Sequence, residues 1–445
     1  MTPLAVAPSA ALAEHRRKVQ RIATALKAPR NGRPVSLKKK AVSHTVPKAF
    51  DKKYSDEKID VTDLDGVLEI DPVERTCTAE PGVTFVDLCK ATLAHGLIPT
   101  VVPELKTITI GGAVAGCSIE SMSYMYGGFH DSCLEYELIT GRGEVLECTA
   151  AGENQLLFQM VHGTFGTLGI ISKLKFRLVP AKPFVHVIYE KHRTLAAYKA
   201  AIQGHYERRD VDFMDGIIHS PELYVLSVGR FVDHAPYTHA YDWMRVYWRS
   251  TASRDEDYLR TLDYVFRYDK GVTNVMPRSW LGRLLLGKFV SSSEVLRLAE
   301  KLHWLLLPRE RPPITLDVFI PFSKVEEFMD WYGREFRHFP LWCVPYKRVR
   351  DYEWLAPGFF ARNAKDELFL DIAVYGMKQP PDGRNYYRLM EEELMRIGAV
   401  KTLISHNFFS KEEFWTIWNK ESYDRAKAIA DPDHVFRNLY DKTCR

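Results

Sequence analysis

The chain of 445 residues contains no run of eighteen apolar residues, so no ordinary membrane-spanning helix is expected. The N-terminus has no apolar core of the length a signal peptide needs. Cysteine is sparse and unpatterned: seven residues, an odd number, with no C-x-x-C. That argues for reduced thiols in a cytoplasmic setting and against a zinc site or a disulfide framework, so no metal is expected. Net charge is only +4, and no recognised binding motif accompanies it, which speaks against nucleic acid as a partner. No G-x-G-x-x-G follows a strand, which excludes a nicotinamide domain of the Rossmann type. One further absence is local. The stretch TITIGGAVAGCSIESMSYMYGG, residues 107–128, opens as G-x-x-x-x-G at Gly111 and Gly116 but continues Cys117–Ser118. The lysine of a triphosphate loop is missing, and a loop offering backbone N–H groups without that cation suits a pyrophosphate better.

Hydrophobic content of 46% and charged content of 27% describe an ordinary globular chain, long enough for two or three domains. Residues 1–40 stand apart as a basic segment: between His15 and Lys40 there are ten Lys or Arg and no acid. HRRKVQRIATALK reads as a short helix with Val19, Ile22 and Leu26 on one side. It is either a solvated positive surface or a segment drawn to an anionic membrane. A second amphipathic helix, with Phe85, Leu88, Cys89 and Leu93 three or four apart, is stopped by Gly96. ISKLKFRLVPAK alternates Leu174, Phe176 and Leu178 against Lys173, Lys175 and Arg177, the pattern of a half-buried strand. Pro180 and Pro183 then bracket a domain boundary.

Beyond it, DFMDGIIH, ITLDVFIP and LFLDIAVYG set polar groups within apolar strands. Alternation puts Thr315, Asp317 and Phe319 on one face, and Phe369, Asp371, Ala373 and Tyr375 likewise together. Such a sheet has either helices behind and a ligand in front, or acids on a solvated face. SKVEEFMDWYGREF and NYYRLMEEELMRIG supply the helices. Residues 280–307, basic and apolar together, read as core-packing helices or as a surface that meets lipid.

A second glycine-rich run, HGTFGTLGII, sets Gly163, Gly166 and Gly169 three apart directly before a strand. Two such segments about fifty residues apart indicate a large dinucleotide held by irregular backbone. At this point the segments TIGGAVAGCSIESMSYMYGGFHDSCLEYELITGRGEVLECT and LLFQMVHGTFGTLGIISKLKFRLVPAK together resemble the FAD-binding domain of the vanillyl-alcohol-oxidase superfamily. LDVFIP, FPLWCVP, ELFLDIAVYG and KEEFWTIW extend the resemblance to the delta-24 sterol reductase branch, across nearly the whole chain after residue 40. No counterpart of that branch's N-terminal membrane span is expected in this sequence. The first flavin loop, KKKAVSHTVPK, lacks the usual glycines.

The resemblance implies an α+β fold: a two-subdomain FAD-binding domain over 41–182, an α/β cap domain with an antiparallel sheet over 183–400, and a C-terminal segment, 401–445, returning to the FAD domain. It implies non-covalent FAD contacts at Ser43, His44, Pro103, Thr109, Gly111, Gly112, Ala113, Gly116, Cys117, Ser118, Ser121, Gly163, Gly166, Gly169 and Ile170, with His44 as the position for a covalent link if one exists. It further implies NADPH as electron donor and reduction of an isolated carbon–carbon double bond. Such an alkene has no carbonyl to polarise, so protonation at one carbon must accompany hydride arrival at the other. Asp371 with Tyr375 and Phe369, and Asp317 with Phe319, are the candidate acid and walls; Tyr346 and His406 come second. A carboxyl buried among aromatics stays protonated at neutral pH. The expected substrate is a lipid at a membrane surface, a methylene-fatty-acyl chain ahead of a sterol. A lipid methyltransferase is then a working partner, and the protein a cytoplasmic one at the inner membrane face. The oligomeric state is left open. An FAD oxidase of an alcohol, sugar or polyprenyl phosphosugar stands as the alternative on the same fold, and a flavin-free lipid-binding scaffold as the non-enzymatic one.

Overall fold

The computed structural model describes residues 8–29, 32–41, 45, 46, 48, 51–242, 245–270, 298, 302 and 311–444. The basic N-terminal run forms a helix, Pro8–Lys27. Its apolar stripe is buried: Val19, Ile22, Ala23 and Leu26 pack with Ile59, Leu64, Ile139, Ile170 and Phe436. Its inner charges find acids. His15 sits 2.9 Å from Glu80 and 2.9 Å from Glu137, Lys18 donates to Glu80 at 2.8 Å, and Arg21 reaches Asp63 at 2.6 Å. The segment is therefore docked on the rest of the chain, with Arg16 and Arg17 left outward. No described helix is long and apolar enough to cross a membrane.

The first domain opens with two short parallel strands, β1 (Val35–Lys38) and β2 (Glu57–Asp60). A larger antiparallel sheet follows, built from β3 (Val67–Asp71), β4 (Thr76–Ala79), β5 (Leu97–Pro99), β6 (Cys133–Ile139), β7 (Val145–Thr149) and β8 (Ile170–Pro180). Strands run β3-β4-β8-β6-β7, with β5 also on β8. On β8 the alternation read from sequence holds: Leu174, Phe176 and Leu178 are buried, Arg177 exposed. The helix Phe85–Leu93, N-capped by Thr84, covers this sheet with Phe85, Leu88 and Cys89 fully buried.

Between Pro180 and Phe184 the chain passes into an eight-stranded antiparallel sheet. Its members are β9 (Phe184–His192), β10 (Phe213–Ser220), β11 (Leu223–Val232), β12 (Glu256–Arg260), β13 (Ile314–Pro321), β14 (Leu341–Lys347), β15 (Leu368–Met377) and β16 (Val400–Lys401). The order is β12-β9-β11-β10-β14-β15-β13-β16. Leu316, Val318, Leu370 and Ile372 share one core with Tyr198, Phe328, Tyr332, Tyr387 and Leu394. Those residues come from the helices Leu195–Arg208, Val325–Glu335 and Tyr386–Ile397. Helices therefore lie behind the sheet. On its other face Asp317 is 9% and Asp371 1% exposed, so the reading of that face as solvated does not hold.

The end of the chain crosses back. Helix Lys420–Ala430 lies against helix Gln155–Met160, Val35 N–H donates to the Val435 carbonyl at 2.8 Å, and Arg437 pairs with Asp56. The buried Lys427 donates to the Thr167 carbonyl at 2.7 Å, and Lys442 to the Phe165 carbonyl at 2.7 Å. Residues 280–307, expected as a basic apolar helical region, lie outside the described residues except for 298 and 302.

Candidate functional site

The first glycine-rich stretch is not an open loop. Thr109 caps a helix, Ile110–Gly116, that ends at Cys117 in the left-handed region. Glycines lower helix propensity, but Thr109 accepts the Gly112 N–H and small side chains let the helix lie on Pro81. A Cβ on Gly111 would stand 2.5 Å from Pro81, which is why glycine is required there. The consequence corrects the expectation of bare amides. Gly111 N–H donates to Pro81 at 2.9 Å, Gly112 to Thr109 Oγ1 at 3.2 Å, Ala113 to the Thr109 carbonyl at 2.9 Å and Ser118 to Ala113 at 2.9 Å. The two glycine segments also hold each other: Gly163 N–H donates to Val114 and Phe165 N–H to Ala115, at 3.4 and 3.2 Å. Together they form one wall. Gly163, at φ +64°, lets that wall close, since a Cβ there would sit 3.3 Å from Cys117 Sγ and 3.4 Å from Trp354.

That wall faces the cap across a cavity. Gly116, Cys117, Gly163 and Phe165 line it from the first domain; Phe319, Tyr346, Phe369 and Thr402 line it from the cap sheet and its continuation. Of these, Gly116, Cys117, Gly163, Phe319, Tyr346 and Phe369 are residues singled out from sequence. Thr109, Gly111, Gly112 and Ala113 build the helix behind the wall. Ser118 receives the Phe129 N–H, while Ser121 receives Met214 N–H and so ties the first domain to the cap. Gly166, at φ +69°, turns the second segment, and Gly169 approaches the Ile139 carbonyl. Pro103 is buried apart from the cavity lining, and Ile170 points into the core under the N-terminal helix. Ser43 and His44 lie outside the described residues.

Asp371, Tyr375, Asp317 and His406 are not in the lining. Register places the two acids one step behind it: Asp371 is opposite Phe319, and Phe369 is two residues along the same face. Tyr375 donates to Asp317 at 2.7 Å. Burial pushes the Asp317 carboxyl up to about 6, against the Tyr375 hydrogen bond. Burial, then the nearby Asp317 and Glu104, lift Asp371 well above the ordinary carboxylate range, and its Oδ1 finds no hydrogen-bond partner among the described residues. Glu104 itself is pushed up to about 8, chiefly by burial. His406 serves through its carbonyl, which accepts from the buried Lys401 at 2.8 Å; Lys401 also pairs with Glu391 at 2.7 Å.

Sequence reading named Tyr346 but missed its partners, and it missed the group around Arg267. Tyr346 is hydrogen-bonded to Tyr352, which donates to Asp131 at 2.9 Å, and Asp131 accepts Gly128 N–H at 2.8 Å. Near the other end of the face, Arg267 reaches Asp215 at 2.9 Å and Glu120 at 3.1 Å, with its guanidinium 4.1 Å from the Tyr264 ring centre. Only the aspartate within DFMDGIIH hinted at the second. The partners of each lie far apart in the chain.

An isoalloxazine has an apolar dimethylbenzene end and a polar pyrimidine edge. The cavity has aromatic and aliphatic walls and several buried polar groups without a hydrogen-bond partner among the described residues, the His130 ring, Trp354 Nε1 and Arg348 Nη1 among them. The residues present thus fit such a ring. A family model described as an FAD-binding domain matches residues 11–149. The chain is an FAD-dependent oxidoreductase whose first domain is of the vanillyl-alcohol-oxidase type. More particularly, it is related to Delta(24)-sterol reductases. It is 26% identical to the human one over 85% of this chain and 76% of that protein, and 25% identical to a Caenorhabditis elegans homolog over 87% and 79%. To the Arabidopsis thaliana protein it is 22% identical over 97% and 84%. Likeness to Cytokinin dehydrogenase 5 of Arabidopsis, 29%, covers only 31% of the chain.

Proposed function

We propose that the protein reduces an isolated, alkyl-branched carbon–carbon double bond in a lipid chain, with NADPH as the source of electrons. A bound flavin supplies the hydride. The protein's own part is to hold the alkene in a dry aromatic cavity and to deliver one proton. The observation that carries this reading is the pair Asp317 and Asp371: buried carboxyls on the cap face, adjoining the cavity wall made by Phe319 and Phe369. Neighbouring carboxyls that cannot both ionise keep a proton at neutral pH, and Asp371 is the one assigned to give it up. Proton transfer places cationic character on the more substituted carbon, where aromatic faces stabilise it. Hydride at that carbon completes a saturated chain, and NADPH leaves as NADP+.

Two substrate classes share the branched alkene: a methylene-fatty-acyl lipid and a sterol side chain. The names of the relatives speak for the sterol. The methylene chain remains the first to offer, because a methyltransferase-made methylene group would need this reduction to become a methyl branch. Membrane contact belongs to the same proposal, through the outward Arg16 and Arg17 of the N-terminal helix. The test is anaerobic mixing of the flavin-loaded protein with NADPH and each lipid, followed by mass spectrometry. Flavin bleaching by NADPH and a gain of two hydrogens in one lipid are expected. Bleaching only by an alcohol, with neither lipid altered, would overturn the reading.

A further inference from the structure

We propose that His130 holds the polar pyrimidine edge of the flavin, donating its ring N–H to a ring carbonyl. The inference rests on the flavin reading of the cavity. His130 follows Phe129 in a short turn of 3-10 helix, Phe129–Ser132, and it lines the cavity with Gly116 and Cys117. It is 1% exposed, and neither ring nitrogen has a hydrogen-bond partner among the described residues. Its surroundings account for this. Gly128 is pressed on one ring edge, where a Cβ would stand 2.4 Å from Cε1. The rings of His162 and Tyr352 lie 5.1 and 5.4 Å away, centre to centre.

The acid beside it is engaged elsewhere. Asp131 Oδ2 is 3.4 Å from Nε2 without hydrogen-bond geometry, and it already accepts from Gly128 N–H and the Tyr352 hydroxyl. Arg350 stands 3.1 Å from the other oxygen. Burial lowers the His130 pKa against the opposing Asp131 charge, with the Arg350 charge adding to the lowering, so the ring is neutral with one N–H and one lone pair unused. A buried polar group left unpaired is unfavourable, so a ligand edge that pairs with it gains what the folded chain has forgone. The pyrimidine edge of a flavin offers carbonyls to the donor, and its reduced form carries more negative charge there, which a fixed donor favours.

Flavin titrations of His130→Phe and His130→Gln test the assignment. Phe fills the space with neither donor nor acceptor; Gln keeps both. Expected for His130→Phe are about tenfold weaker FAD binding, a displaced flavin absorption band and a lower reduction potential; His130→Gln should restore most of each. Unchanged binding, band and potential in His130→Phe would overturn the proposal, as would a change confined to the KM for lipid. If His130→Phe fails to fold, the native protein carrying 15N-labelled histidine gives the answer. A ring-nitrogen signal that moves on adding FAD and is missing in His130→Gln supports the contact, and no such movement refutes it. None of these readings needs alkene reduction, so a protein that binds FAD yet spares both lipids would refute the proposed reaction and leave His130 testable.

Discussion

Two acidic clusters are buried on the inner face of the cap sheet, and they are neutralised by different means. At one, Asp215 and Glu120 converge on Arg267, with Tyr268 and Trp342 donating to Asp215 at 2.5 and 3.2 Å. At the other, Asp317 and Asp371 lie with Glu104 nearby, and neither aspartate has an ion pair among the described residues. The first is balanced by a fixed cation packed among rings, which suits a joint between domains. The second can be balanced only by protons, which come and go. A carboxyl that keeps its proton for want of a cation is the kind that can act as an acid.

The comparison breaks most visibly at Arg267. Arg267→Met would leave Asp215 and Glu120 buried without their cation and should destabilise the protein by about 3–5 kcal/mol, read as a fall in melting temperature. Asp371→Asn should do the reverse: melting unchanged or raised, flavin reduction by NADPH intact, and alkene reduction lowered by about a hundredfold or more in stopped-flow turnover. Similar losses of stability in both variants would erase the distinction between the clusters.

Asp317 sharpens it further through pH. Its folded pKa, about 6, lies above the ordinary 3.8. The stability tied to it is fully present below about 3.8 and is lost as pH rises through about 6. Denaturant melts between pH 4 and 7 should show that decline in the wild type and less of it in Asp317→Asn. The smallest effect is expected at the N-terminal helix. Burial opposes charge on His15, yet hydrogen bonds to Glu137 and Glu80 outweigh it and raise its pKa above 6.5. Its stabilising contribution is therefore complete below 6.5 and fades as pH climbs past the raised value. His15→Ala should cost about 1–2 kcal/mol at pH 6 and less at pH 9, with amide exchange speeding within Pro8–Lys27.

The contrast also marks how far the sequence could be read. Thr315, Asp317 and Phe319 share a face because a strand alternates, and that alternation is written in eight consecutive residues. Of the helices behind the sheet, Val325–Glu335 and Tyr386–Ile397 were legible in the sequence, while Leu195–Arg208 was not. Arg267 was not: its partners stand 52 and 147 residues away, and nothing local in FRYDK announces a buried cation. The Tyr352–Asp131 bond spans 221 residues and is invisible for the same reason. The stretch IGGAVAG was misread in form, since glycine content pointed to an open loop while a capping threonine and the bed of Pro81 settled a helix. His130 gave no signal, because an unpaired ring is a property of its neighbours.

Lys427 and Lys442 grasp the carbonyls of Thr167 and Phe165 from the far end of the chain. A nascent polypeptide that has just cleared β8 already carries both glycine segments but lacks the hands that steady the second. Cofactor loading during synthesis should therefore wait for the closing residues. A chain stopped before Lys427 and released from the ribosome would come off colourless beside a yellow full-length control.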